Sequence, residues 1–148
     1  MADIARVDQI DYERGMVKVT LTEREIESNW IALPSLEYDP PKIGDLVRVA
    51  FDGDNFTAGQ CLGRYYNAEN LPVVSGETVC YKKFGEDLVF YYDKEAKVLE
   101  ITANAVRIVG DLSVSGGLSV SGDVSAGGSI SAGGAITAPS IVEGGGAG

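Results

Sequence analysis

The sequence predicts an all-β protein in three parts: a small N-terminal barrel, a short β-meander, and a C-terminal β-helix wound from three copies of the chain. Three observations lead there. In the first hundred residues, apolar side chains recur in short runs with period two, and no stretch keeps the period of a helix. Gly, Pro and Asp clusters punctuate those runs as turn residues do. The last third is a six-residue repeat led by glycine, the kind of self-similarity that sets an architecture.

In chain order, residues 4–10 read as a first strand. Asp11-Tyr12-Glu13-Arg14-Gly15 follows as a turn, with Gly15 supplying a left-handed position. Residues 16–22 alternate cleanly, with Val17, Val19 and Leu21 on one face and Lys18, Thr20 and Thr22 on the other. A charged loop covers 23–27. Trp30-Ile31-Ala32-Leu33 is a further strand, stopped by Pro34. Pro40-Pro41-Lys42-Ile43-Gly44-Asp45 leads rigidly into a strand over 46–51, where Val47, Val49 and Phe51 face one way. Asp52-Gly53-Asp54-Asn55 is a turn, and 57–65 is the returning strand. Five short strands in this space suit a small closed barrel, and the oligonucleotide/oligosaccharide-binding (OB) type fits in strand number and length. The barrel is assigned to residues 1–70.

Residues 71–103 form the second part. A linker spans 67–76, around Pro72. Strands over 79–84, 88–92 and 98–101 then make a meander, turning at Gly85-Glu86-Asp87 and Asp93-Lys94-Glu95. This meander is expected to lock the trimer.

The repeat occupies 104–143. Its copies read Gly-Asp-Leu-Ser-Val-Ser from Gly110, Gly-Gly-Leu-Ser-Val-Ser from Gly116, Gly-Asp-Val-Ser-Ala-Gly from Gly122, Gly-Ser-Ile-Ser-Ala-Gly from Gly128 and Gly-Ala-Ile-Thr-Ala-Pro from Gly134. A degenerate copy opens the run, with Val106 and Ile108 in phase, and another closes it from Ser140. Positions three and five share a strand face. Position three is Leu112, Leu118, Val124, Ile130 and Ile136; position five is Ile108, Val114, Val120, Ala126, Ala132 and Ala138. These residues are the expected trimer-axis core, and the shrinking fifth column makes that core taper. Position four is Ser or Thr from Ser113 to Thr137 and suits solvent.

So short a strand cannot bury its apolar face alone. A single-chain coil would close only about two turns here, fewer than the roughly three units a solenoid needs. Three chains sharing an axis supply three times the strands. At about 4.8 Å per strand the repeat would span roughly 30 Å. Residues 144–148 form a glycine-rich tip.

Composition narrows the functions. The 148-residue chain carries a net charge of -10 and no histidine. That balance disfavours nucleic acid, which needs clustered Lys and Arg. No apolar run reaches the length of a membrane helix, and the N-terminus does not read as a signal peptide, so a soluble product made in the cytoplasm is expected. Cys61 and Cys80 have neither metal-ligand spacing nor histidine partners and read as two small buried hydrophobes, with nothing to support a disulfide.

Gly15-Met16-Val17-Lys18-Val19, Trp30 with its strand, Ile43-Gly44-Asp45-Leu46-Val47-Arg48-Val49-Ala50-Phe51, Gly59-Gln60-Cys61-Leu62-Gly63 and the hexads occur in that order. In this the chain resembles the central spike proteins of contractile phage tail baseplates, often called baseplate assembly protein V, and their relatives in contractile bacteriocins and injection machines. The resemblance covers nearly the whole chain. Each motif alone is common; the order, with the tapering repeat, is what is specific. It implies an OB barrel that joins the baseplate hub or tail tube, and a trimeric needle that pierces a target cell envelope. Some relatives carry a lysozyme domain between barrel and needle, but 67–76 is too short for one. Others bind iron through His-x-His at the tip, which a chain without histidine cannot do. The tip could therefore end bluntly, fray, or dock a separate cap protein.

Other chemistries fit less well. Glu23, Glu25, Glu27 and Glu37 read as solvated charges, since a general acid needs a pocket that raises its pKa. Asp52-Gly53-Asp54-Asn55 resembles a calcium loop but lacks the closing glutamate. Tyr65-Tyr66 and Phe90-Tyr91-Tyr92, near Lys82-Lys83, could stack bases; packing in the barrel core and at the trimer interface explains them better. Acyltransferases with single-chain hexapeptide helices use a general base, usually histidine. The expectation is thus a non-enzymatic homotrimeric spike without cofactor, catalytic or metal residues. The alternative is a nucleic-acid-binding OB module with a disordered Gly/Ser tail.

Overall fold

The computed structural model describes residues 2–54, 56–85 and 88–142. Asn55 of the expected 52–55 turn, Glu86 and Asp87 of the meander turn, Glu143 and the 144–148 tip lie outside the described residues. The chain divides into two compact units, Met1–Val106 and Arg107–Gly148. Every assigned element is a strand: β1 (Ala2–Asp11), β2 (Met16–Leu21), β3 (Ile31–Ala32), β4 (Leu46–Phe51), β5 (Gly59–Arg64), β6 (Val79–Phe84), β7 (Leu88–Asp93) and β8 (Val98–Thr102). All eight belong to the first unit.

The first five close a barrel in the order β1-β2-β3-β5-β4, with β1 pairing both β2 and β4. The alternation read from the sequence is the alternation that is buried. Ala5, Val7, Val17, Val19, Leu21, Ile31, Val47, Val49, Phe51 and Cys61 form the core, with Ile10, Leu33 and Phe56 packed against it. β1 keeps its apolar side inward despite a change of parity. Its register with β2 jumps between Val7 and Gln9, leaving Asp8 as an extra residue, so that Ile10 rather than Gln9 returns to the core. The displaced Asp8 carboxylate accepts the Thr20 hydroxyl at 2.5 Å.

Two turns show why glycine stands where it does. Gly15 has φ 63° and closes the β1–β2 turn. Gly44 has φ 91°, and its N–H donates to the Val7 carbonyl at 2.8 Å. Beside it, the Asp45 carboxylate accepts the Lys42 amide at 2.8 Å, and the Val7 N–H donates to the Asp45 carbonyl at 3.0 Å. The Ile43-Gly44-Asp45 stretch therefore extends the β1–β4 seam before β4 begins.

The strand expected over 30–33 is shorter than its apolar run suggests. Only Ile31 and Ala32 make ladder pairs, two with β2 and one, parallel, with β5. Trp30 instead lies half-buried outside the core, with the Arg14 guanidinium and the Lys18 ammonium each 5.5 Å from its ring centroid.

The remaining three strands form a separate antiparallel sheet, β6-β7-β8. The linker before it is ordered rather than structureless: Asn67 and Asn70 exchange backbone hydrogen bonds at 3.1 Å, and both side-chain amides donate to the Tyr65 carbonyl.

The second unit is described as far as Val142 and has no strand assigned within one chain. Its described residues carry paired bends at 115–116, 121–122, 127–128 and 133–134. Each bend spans the last residue of one hexad and the leading glycine of the next.

Candidate assembly surface

Among the described residues, exposed large apolar side chains gather in the repeat of the second unit and on the β6-β7-β8 sheet of the first, besides more scattered ones such as Leu36 and Ile43. In the second unit, every described residue is exposed. Position three is uncovered from Leu112 (68%) and Leu118 (75%) through Val124, Ile130 and Ile136. Position five follows, from Ile108 through Val114 and Val120 to Ala126, Ala132 and Ala138. All the residues expected at a trimer axis are thus uncovered within one chain. Among the described residues, no backbone hydrogen bond joins one hexad to another. The glycines add to this. A Cβ built on Gly116, Gly122, Gly128 or Gly134 would meet nothing within 4 Å, and none of them has a left-handed φ. Nothing within one chain asks for glycine there, although glycine raises the entropic cost of ordering.

In the first unit, the β6-β7-β8 sheet has one apolar face. Its register pairs Cys80 with Tyr92, Lys82 with Phe90 and Phe84 with Leu88, then Tyr92 with Leu99 and Phe90 with Ile101. These residues share a face because directly paired residues point the same way. Phe84 and Phe90 meet edge to face at 5.5 Å, yet Phe90, Tyr92, Leu99 and Ile101 stay 37–61% exposed. The outer strand β8 is exposed along its whole length.

Two expectations are corrected here. Cys61 is buried on β5, but Cys80 is exposed on β6, because its sheet face has no covering layer. Burial pushes the Cys61 thiol pKa up. The aromatics Tyr65, Tyr66, Phe90, Tyr91 and Tyr92 take no part in the barrel core, which is aliphatic apart from Phe51 and its neighbour Phe56. Tyr65 lies under the Arg48 guanidinium, 4.9 Å from its ring centroid, and Tyr66 stays exposed.

Between barrel and sheet, a cleft of about 850 Å³ is bounded by Leu36, Pro41, Tyr66, Leu71, Val73 and Tyr81. Ion pairs Lys82–Glu37 and Arg64–Asp39 cross its rim, with Asp45 a further 3.9 Å partner of Arg64. The Tyr66 and Tyr81 hydroxyls are 3.0 Å apart, which raises the Tyr66 pKa, and the Val73 N–H donates to the Tyr81 hydroxyl at 3.1 Å. Nearby, the Arg6 guanidinium donates to Glu69 at 3.1 Å and holds that carboxyl below its ordinary pKa. Of these, Lys82–Glu37 ties β6 to a barrel loop and the Tyr81 contacts tie it to the segment after the barrel, while the Arg64 and Arg6 pairs lie within the barrel and its linker; all are exposed, so each is individually weak.

What the exposed surfaces can do is exclude water against a matching surface. Covering one Leu, Ile or Val side chain contributes about 1.5–3 kcal/mol. No protein-family model matches the chain, and no curated protein matches it.

Proposed function

We propose that the chain is the non-enzymatic central spike of a contractile tail or contractile injection particle, working as a homotrimer. One observation carries the reading: the hexad segment is bent every six residues, with its Leu, Val and Ile in phase and uncovered. A lone chain in that form leaves apolar faces and backbone groups without protein partners, a cost that pairing with other copies removes. Three copies around one axis put both apolar columns inside and Ser113 to Thr137 outside. The leading glycines then lie where neighbouring chains come close, which accounts for their open surroundings in a single chain.

The barrel, with β1 between β2 and β4 and β3 parallel to β5, is read as OB type. In the spike it would hold the baseplate hub or tail tube, and the needle would end bluntly, fray, or carry a separate cap. The work is mechanical. Sheath contraction supplies force, the needle concentrates it on a small area of envelope, and interchain pairing around a dry core resists unfolding kinetically.

The test is the solution mass by light scattering, with and without residues 104–148. A full-length trimer that resists SDS at room temperature supports the spike; a full-length monomer overturns it. The monomer outcome would favour a second reading, a single-strand-binding OB module, to which the half-exposed Trp30 beside Arg14 and Lys18 would contribute. Against it, Arg14 is paired with Asp11 and Lys18 with Glu27.

A further inference from the structure

The first two full hexads, from Gly110 and from Gly116, differ only at Asp111 and Gly117. Three chains wound on such a repeat can slip by one copy and still match Leu with Leu and Val with Val. Register in a sheet is fixed by pattern and by turns, and a near-exact repeat supplies little of either. Something outside the repeat must set the height at which the chains meet.

We infer that the β6-β7-β8 sheet is that register clamp, and that the occupant of its bare face and of the β8 edge is a second copy of this chain; the inference rests on the trimer reading above. Three features favour a copy over an unrelated partner. The first is continuity: only residues 103–109 separate β8 from Gly110, so whichever molecule shares the repeat holds its own sheet within reach. The second is charge. Glu100 pairs with Tyr91, and Tyr91 with Tyr81, which puts Glu100 on the same face as Lys83 at the far side of the sheet. With β8 of one copy beside β6 of the next, Glu100 and Lys83, both on the face away from the apolar one, fall on adjacent strands. The third is aperiodicity. Phe84, Phe90, Tyr92, Leu99 and Ile101 do not repeat, so a one-copy slip of the hexads would pull this patch out of match. An exposed apolar edge such as β8 is also one that proteins normally keep covered.

The test is a mixed trimer. One chain is full length; the other lacks residues 116–121, one whole hexad. Both carry Cys80→Ser, and spin labels are placed at Ser113→Cys in one set and at Ser131→Cys in another. If the sheet sets register, mixed trimers form, the Ser113 labels keep the distance they have in unmixed trimers, and the Ser131 labels are offset by one repeat, about 4.8 Å along the axis. If the repeat sets its own register, Ser131 stays aligned and Ser113 is offset, and the clamp is overturned. Chains that sort by length into unmixed trimers overturn it as well. A full-length protein that forms no trimer fails the underlying spike reading instead, and the unmixed control detects that separately.

Discussion

The hydroxyls of Tyr66 and Tyr81 lie 3.0 Å apart, joining the segment after the barrel to strand β6. Tyr81 also accepts the Val73 N–H, so one phenol fastens the sheet at two points. Tyr81→Phe removes both contacts while leaving the ring in place. We expect a loss of about 1–2 kcal/mol, in line with two partly exposed hydrogen bonds. Hydrogen exchange should quicken at Val73, with the amides of β2 and β4 unchanged. Unchanged protection at Val73 would contradict the assigned role.

Gly59 tests the barrel. A Cβ there would lie 2.5 Å from the Ala50 carbonyl oxygen and 2.6 Å from Phe51 Cδ1. Backbone cannot yield cheaply, so Gly59→Ala should cost about 1–3 kcal/mol by overpacking. Gly53→Ala, with open space but φ 88°, should cost less. Urea denaturation of the two variants side by side measures the difference.

The two thiols should report assembly. Cys61 is buried with a raised pKa, so it should react slowly with a thiol reagent in any folded form. Cys80 should react quickly in a monomer and slowly once copies cover its sheet face. The raised Cys61 pKa also has a sign. The fold favours the neutral thiol, so its contribution is complete at neutral pH and declines as pH rises above the thiol's ordinary value. Cys61→Ala should flatten that alkaline decline in melting temperature.

At the narrow end of the repeat, Ala132→Leu should overpack the proposed axis. The cost is about 1–3 kcal/mol per chain, multiplied by the three-fold symmetry. The reverse change at the wide end, Val114→Ala, should leave a cavity and also lower the melting temperature. A melting temperature indifferent to Ala132→Leu would count against the axial assignment.

Much of the barrel was legible because its strands are half-buried, and half-burial writes itself as alternation: Val17, Val19, Leu21 and Val47, Val49, Phe51 are inside as read. The β3 boundaries were not legible, because Trp30 and Leu33 are apolar for reasons other than ladder pairing. The exposure of Cys80 was not legible, because period two marks a face without saying whether anything covers it. Ser28 gave no signal at all. It is buried, accepts the Val19 N–H at 3.0 Å and donates to the Asn29 carbonyl at 2.7 Å, a role that depends on a chain reversal no local pattern encodes. In the repeat, the bends fall at the glycine junctions, but the closure that would hide the apolar columns involves other molecules, which one sequence describes only by implication.

The short β3 has a mechanical meaning. Four of the barrel's seams are held by two or more paired residues, whereas the β3–β5 seam has the single pair Ala32 with Gln60, supplemented by the Asn29 N–H donating to the Phe56 carbonyl at 3.3 Å. We expect a tensile load spread around this ring to open that seam first, while the longer β1–β2, β1–β4 and β4–β5 ladders stay whole. Failure under such a load would then start at one place, the seam with the fewest paired residues.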